Sequence, residues 1–220
     1  RLSVTSVISQ QRGEGNNQTF KGGAREDELS IKPTDYEDDQ HFFLDFYYRQ
    51  EFEGAVSNPA INIQVLPLQQ VQVWMLNEST QQIDGLRDAV AMVDLGVNQQ
   101  GIGFSPPNTA NDAIDDALID QFRDPQLGVT AATFGVEPEE FVQGKFQRLY
   151  EGQDYELNPN LGIITMKRRL GGRQAIAVQF QYLNNGTPIN VGDQAVGDNN
   201  RLFLKLIRPQ NITTTNKAWD

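Results

Sequence analysis

AIAVQFQYLNNG, from Ala175 to Gly186, is the stretch whose reading decides the fold class. Ile176, Val178, Phe180 and Tyr182 recur at every second position, the period of a strand that lays one face on a core. Asn185-Gly186 follows at once. Both central positions of a type I′ turn need positive φ, so this pair predicts a hairpin. Working outward, Leu202 to Ile207 reads as a closing strand. On the other side, Gly171-Gly172 reads as a turn and Leu161 to Met166 as a strand. Glu156-Leu157 leads into an Asn158-Pro159-Asn160 turn.

Further upstream the pattern mixes. Leu2 to Val7 alternates like a strand and runs into the polar loop Gln10 to Gln18. Phe20 to Ala24 and Glu28 to Ile31 read as short strands, separated by Gly22-Gly23 and the acidic Glu26-Asp27. From Asp39 to Val56 the aromatic spacing changes to four, with Phe42 and Phe46, Phe43 and Tyr47, and Leu44 and Tyr48 on one broad face, which predicts a helix. Asp35, Asp38 and Asp39 suit its start and Asn58-Pro59 its end. Phe42, Phe43, Phe46 and Phe52 are expected largely buried, at roughly 1.5 to 3 kcal/mol each, against a sheet containing Val71, Val73 and Met75. Gln69 to Asn77 then reads as a strand with Gln70, Gln72 and Trp74 on its wetter face, and Ala89 to Leu95 as its partner. Gly96 to Asn108 reads as a long loop. Thr109 to Phe122 predicts an amphipathic helix, with Asp112, Asp115, Asp116 and Asp120 mostly on the solvent side and Asp124-Pro125 as its stop. A second helix is expected from Pro138, carrying Val142, Phe146, Leu149 and Tyr150.

Composition narrows the function. The 220 residues are 38% hydrophobic and 21% charged, enough for a packed core. A formal charge of −11 at pH 7 opposes binding to nucleic acid, which needs clustered Lys and Arg. There is no cysteine, which removes disulfides, thiol catalysis and thiolate metal sites. No apolar run approaches the roughly 20 residues of a membrane helix. The chain opens inside a strand pattern and stops at Trp219-Asp220, and is expected to be a segment of something larger.

Catalytic motifs are missing. His41 is the only histidine, so a Ser-His-Asp mechanism or a multi-histidine metal site would depend on it, and its place beside Phe42-Phe43 suits packing or capping instead. Asp35 to Asp39 and Asp193 to Asp198 lack calcium-loop spacing. The acidic run on the Thr109 to Phe122 helix reads as a solvated face rather than a glycosidase pair. The expectation is therefore no enzyme, no metal and no cofactor. Lys167, Arg168, Arg169 and Arg173 form the one basic patch, suited to carboxylates of a neighbouring element or to anionic headgroups. This patch and the polar face of Gln70, Gln72 and Trp74 are the candidate contact surfaces. Trp74 and Tyr182 could also stack on sugar rings if exposed.

Four words, HFFL at His41 to Leu44, VWMLN at Val73 to Asn77, MVDLG at Met92 to Gly96 and NPNLG at Asn158 to Gly162, occur in an order that resembles one contiguous stretch of the SprA (Sov) family. These are outer-membrane proteins of type IX secretion and gliding motility. The likeness spans about two thirds of the chain and lapses from Gly96 to Val136. The residue patterns by themselves predict an α+β fold, with antiparallel hairpins and sheets packed with two or three helices, and the resemblance implies that it is inserted into a larger outer-membrane β-barrel. The implied organisation is a flanking strand at 1–10, a first α+β block at 11–104, a helical connection at 105–152 and a second β-rich block at 153–220. The resemblance implies a non-catalytic segment that caps, lines or braces a protein-secretion channel, on the extracellular or periplasmic side. Its partners would be the rest of the parent barrel, other secretion proteins and exported cargo. The competing expectation is an extracellular glycan- or protein-binding β-rich module.

Overall fold

A computed structural model of the chain describes residues 16–22, 25–31, 40–58, 60, 65–79, 85–93, 95, 116–195 and 200–210. The chain divides into two compact units, Arg1–Asp39 and Gln40–Asp220. In the first, β1 (Asn16–Gly22) and β2 (Arg25–Ile31) form an antiparallel hairpin in which Gly22 pairs with Arg25 and Asn16 with Ile31. Both strands are longer than their apolar residues predict. Residues 16–18 of the expected loop and Glu26-Asp27 of the expected break pair within the ladder, because backbone hydrogen bonds continue wherever register allows. The strand expected at Leu2 to Val7 lies outside the described residues.

The second unit contains β3 (His41–Phe43), α1 (Phe46–Ser57), β4 (Leu68–Leu76), β5 (Arg87–Met92), α2 (Asp116–Gln121), α3 (Ala131–Phe134), β6 (Phe141–Leu149), β7 (Tyr155–Asn158), β8 (Ile163–Met166), β9 (Ile176–Asn184), β10 (Thr187–Val191) and β11 (Leu202–Arg208). The protein is thus a mostly β member of the α+β class. β4 pairs with β6, β6 with β5, β5 with β11, β11 with β9, and β9 with β4 again, so five strands close on themselves. Only the β5–β11 pair is parallel. β10 joins the edge of β9 beyond the point where β11 leaves it. A separate antiparallel sheet runs β3-β8-β7. Closure leaves the barrel strands few free edges.

A five-strand barrel is narrow, and its filling reflects this. Trp74, Leu76, Phe146, Leu204 and Leu206 share the interior with the small residues Ala89, Ala91, Ala175 and Ala177. At Gly144 the packing is close, since a Cβ there would lie 2.7 Å from Leu76 Cδ1 and force that side chain to shift. Two outer faces are covered separately. Val73, Val178, Phe180 and Tyr182 pack with Leu44, Tyr48, Ile164 and Met166. Val90, Met92 and Phe203 pack with Ile119, Val129 and Phe134.

Three helix and strand expectations are corrected. The helix expected from Asp39 to Val56 begins only at Phe46. His41–Phe43 is paired with β8, and Asp45, in extended conformation with φ −157°, caps the helix by accepting from Tyr47 N at 3.5 Å. Phe42, Phe43, Phe46 and Phe52 are half-buried, whereas Leu44 and Tyr48 are fully inside. The end at Asn58 stands.

The helix expected from Pro138 is a single 3-10 turn, Pro138–Glu140, followed by β6. Val142 and Phe146 are four apart, as in a helix, because the intervening inward position is Gly144 and carries no side chain to mark a period of two. β5 is not the neighbour of β4; β6 lies between them, contributed by the sequence expected to be a helical connection. Of the helix expected from Thr109 to Phe122, the described part is α2, and Leu118, Ile119 and Phe122 do face the core. The hairpin at Asn185-Gly186 has φ of 51° and 81°, as its sequence requires.

Candidate functional site

The polar side of β4 leads to the most unusual surface of the second unit. Residues paired directly across an antiparallel ladder project to the same face. Trp74 is opposite Arg148 and Ala177, Gln72 is opposite Gln179, Gln70 is opposite Gln181, and Gln181 is opposite Asn190 on the far strand. All belong to the phase that fills the barrel interior at Trp74 and Ala177. β6 keeps β5 as a neighbour only over 141–146 and continues to Leu149 beside β4 alone, so the barrel flares at this end. Here the inward-facing side chains become progressively more exposed.

Amides line the flare. Gln181 Nε2 donates to Asn190 Oδ1 at 2.9 Å, Gln194 Nε2 donates to Gln70 Oε1, and Ala195 N donates to Gln72 Oε1 at 3.5 Å. The segment bearing Gln194 and Ala195 is held by Asp193, whose Oδ2 accepts from Phe203 N at 2.8 Å and from Arg123 Nη1 at 2.6 Å. Arg123 is raised above its ordinary pKa, chiefly by that hydrogen bond to Asp193 and against an opposing effect of burial. Beneath the amides, Gln179 is wholly buried with neither end of its side-chain amide hydrogen-bonded to a described residue. The same holds for the indole N–H of Trp74, which is 2% exposed. Just after β6, Tyr150 is 58% exposed, with the Arg148 guanidinium 5.9 Å from its ring centroid.

A second polar constellation is sealed inside. Lys205 Nζ lies 3.4 Å from Asp45 Oδ2 and donates to Val93 O at 3.0 Å. Burial and then the Asp45 carboxylate push the phenols of Tyr48 and Tyr182 upward. Tyr48 donates to Leu66 O at 3.4 Å. This cluster ties the start of α1 to β11 and has no access to a substrate.

The contact residues expected from sequence divide. Gln70 and Gln72 belong to the amide-lined flare, but Trp74 and Tyr182 are buried and are not exposed stacking surfaces. Lys167, Arg168, Arg169 and Arg173 are exposed around the β8–β9 connection. Lys167 pairs with Glu156 at 2.8 Å and also donates to Gly152 O, and Arg168 Nη2 lies 4.0 Å from Met75 Sδ. His41 is exposed on β3, its Nδ1 3.0 Å from Thr165 Oγ1, rather than at a helix start.

Sequence reading passed over Gln179, Gln181, Gln194 and Tyr150. The signal was available for the first two, which occupy the alternate positions to Val178, Phe180 and Tyr182. A strand with one apolar and one amide face repeats the pattern of Gln70 and Gln72. No protein-family model matches the chain, and no curated protein matches it.

Proposed function

We propose that the chain is a non-catalytic structural segment of a giant outer-membrane channel for type IX protein secretion and gliding motility. In this reading it caps, lines or braces the pore from the extracellular or periplasmic side. It contacts the rest of the parent barrel, other secretion proteins and passing cargo. The small barrel described here is a packed core rather than a pore, so the channel belongs to other parts of the parent.

One observation supports this reading: the four words that carry the resemblance are fold-building residues of a single unit. HFFL supplies β3 and the buried Leu44, and VWMLN supplies Val73 and Trp74. MVDLG supplies Met92, Val93 and Leu95. NPNLG supplies the β7–β8 turn, where Gly162 lies against Tyr48. Words at such positions build a scaffold, and a scaffold is what a bracing insert needs.

The test is to delete residues 22–198 from the parent in its own bacterium. Outer-membrane fractionation verifies that the shortened barrel still inserts, and exported cargo and colony spreading are measured. Reduced cargo release with normal insertion is expected. Unchanged secretion and spreading, or a parent protein that never reaches the outer membrane in the intact strain, would refute the proposal.

A further inference from the structure

The flared end of the barrel combines features that its structural role does not require. Gln179 and Trp74 keep polar atoms in the interior whose hydrogen-bonding capacity no described residue takes up. Apolar residues would fill the same space at lower cost, because a buried amide without partners is destabilising. Directly above them stand Gln72, opposite Gln179, and Gln70, opposite Gln181. Tyr150, 58% exposed, directly follows β6 and continues the phase of Arg148, which is opposite Trp74.

We propose that this mouth is a carbohydrate-binding site. Tyr150 provides the platform on which the CH face of a sugar ring stacks. Gln70 Nε2, Gln72 Nε2 and Gln181 Oε1, the amide ends not bonded to Gln194, Ala195 and Asn190, exchange hydrogen bonds with its hydroxyls, and Gln179 with the Trp74 indole forms the floor that receives a hydroxyl entering beside Gln72.

The chemistry favours a sugar over other ligands. A hydroxyl both donates and accepts, as a side-chain amide does, so each meets the other in either orientation. A peptide strand would add to a backbone edge, whereas these amides project from the faces of β4 and β9. A polyanion is opposed by the net charge of −11, and the sugar stacks on the face of the Tyr150 ring opposite the Arg148 guanidinium. The proposal does not rest on the secretion-channel reading and stands or falls separately.

The experiment uses the 220-residue chain in native affinity electrophoresis through gels containing laminarin, dextran, galactomannan or hydroxyethylcellulose. Calorimetric titration follows with whichever polysaccharide retards it. Retardation by at least one is expected. Tyr150→Ala should weaken binding about tenfold, the scale of one aromatic contact, while Tyr150→Phe keeps the ring and binds as the parent chain does. Gln179→Leu should also weaken it, and circular dichroism of each variant verifies the fold. Failure of all four polysaccharides to retard the chain would overturn the proposal, as would a Tyr150→Ala variant that binds normally. Tyr150-dependent binding of unstructured casein peptides, without polysaccharide binding, would assign the mouth to protein and overturn it as well.

Discussion

Replacing Gly162 by Ala tests how the helix α1 is docked on the β7–β8 turn. Gly162 has φ of 63°, and a Cβ built on it would fall well inside contact distance of the Tyr48 ring. Two costs combine. The left-handed conformation costs a residue with a Cβ about 1 to 2 kcal/mol, and forcing a methyl into a filled site costs about 1 to 3 kcal/mol. Tyr48 cannot step aside easily: it is 1% exposed, its ring centroid is 6.1 Å from that of Phe180, and its hydroxyl donates to Leu66 O. The expected loss is therefore about 2 to 5 kcal/mol. Gly186→Ala is the control, because its φ is 81° but no atom lies within 4 Å of the added carbon, leaving only the backbone cost. Urea melts followed by far-ultraviolet circular dichroism measure both. In a Tyr48→Ala background the steric part should vanish, so Gly162→Ala should then cost no more than Gly186→Ala, a non-additivity typical of residues in contact. Equal losses for the two glycine variants in the parent background would refute the docking of Tyr48 on this turn.

Two further outcomes follow from the buried polar cluster. Lys205→Met leaves the Asp45 carboxylate buried without its cation and should cost about 3 to 5 kcal/mol in the same melts. Adding Asp45→Asn removes the orphaned charge while keeping a capping oxygen and should recover part of the loss; a double variant less stable than the single one would contradict the pairing. Burial raises the phenols of Tyr48, Tyr155 and Tyr182 above their ordinary value, Tyr155 to about 12. The folded protein keeps these protons after the unfolded chain has begun to lose them near pH ~10. Their stabilisation is thus complete below that pH and is lost as the pH rises toward the folded values. Stability measured from about pH 9 to 12 should fall, less steeply in Tyr155→Phe, and an equal slope in that variant would count against the burial of its hydroxyl.

What the chain determines locally was legible in it. The alternation of Ile176, Val178, Phe180 and Tyr182 and the Asn185-Gly186 turn specify β9 and its hairpin with β10, because period and positive φ are properties of neighbouring residues. The end of α1 at Asn58 was likewise legible, where the Asn58 N–H closes the helix on Gly54 O. The amide face was half legible, since Gln70 and Gln72 alternate with Val71 and Val73.

Tertiary structure alone decided the rest. His41–Phe43 has helical spacing but became a strand because β8 offered a ladder to pair with, and Asp45 then fixed where the helix could start. β6 looked helical because Gly144, packed close to Leu76, erased the period that would have identified it. Barrel closure buried Trp74 from its polar side, and the pairing of β4 with β9 set Gln179 on the same face as Gln72. Periodicity reports which residues share a face of their own element. Which neighbour covers that face depends on pairings between strands more than a hundred residues apart, such as β4 with β9, and those pairings form only when the whole barrel closes.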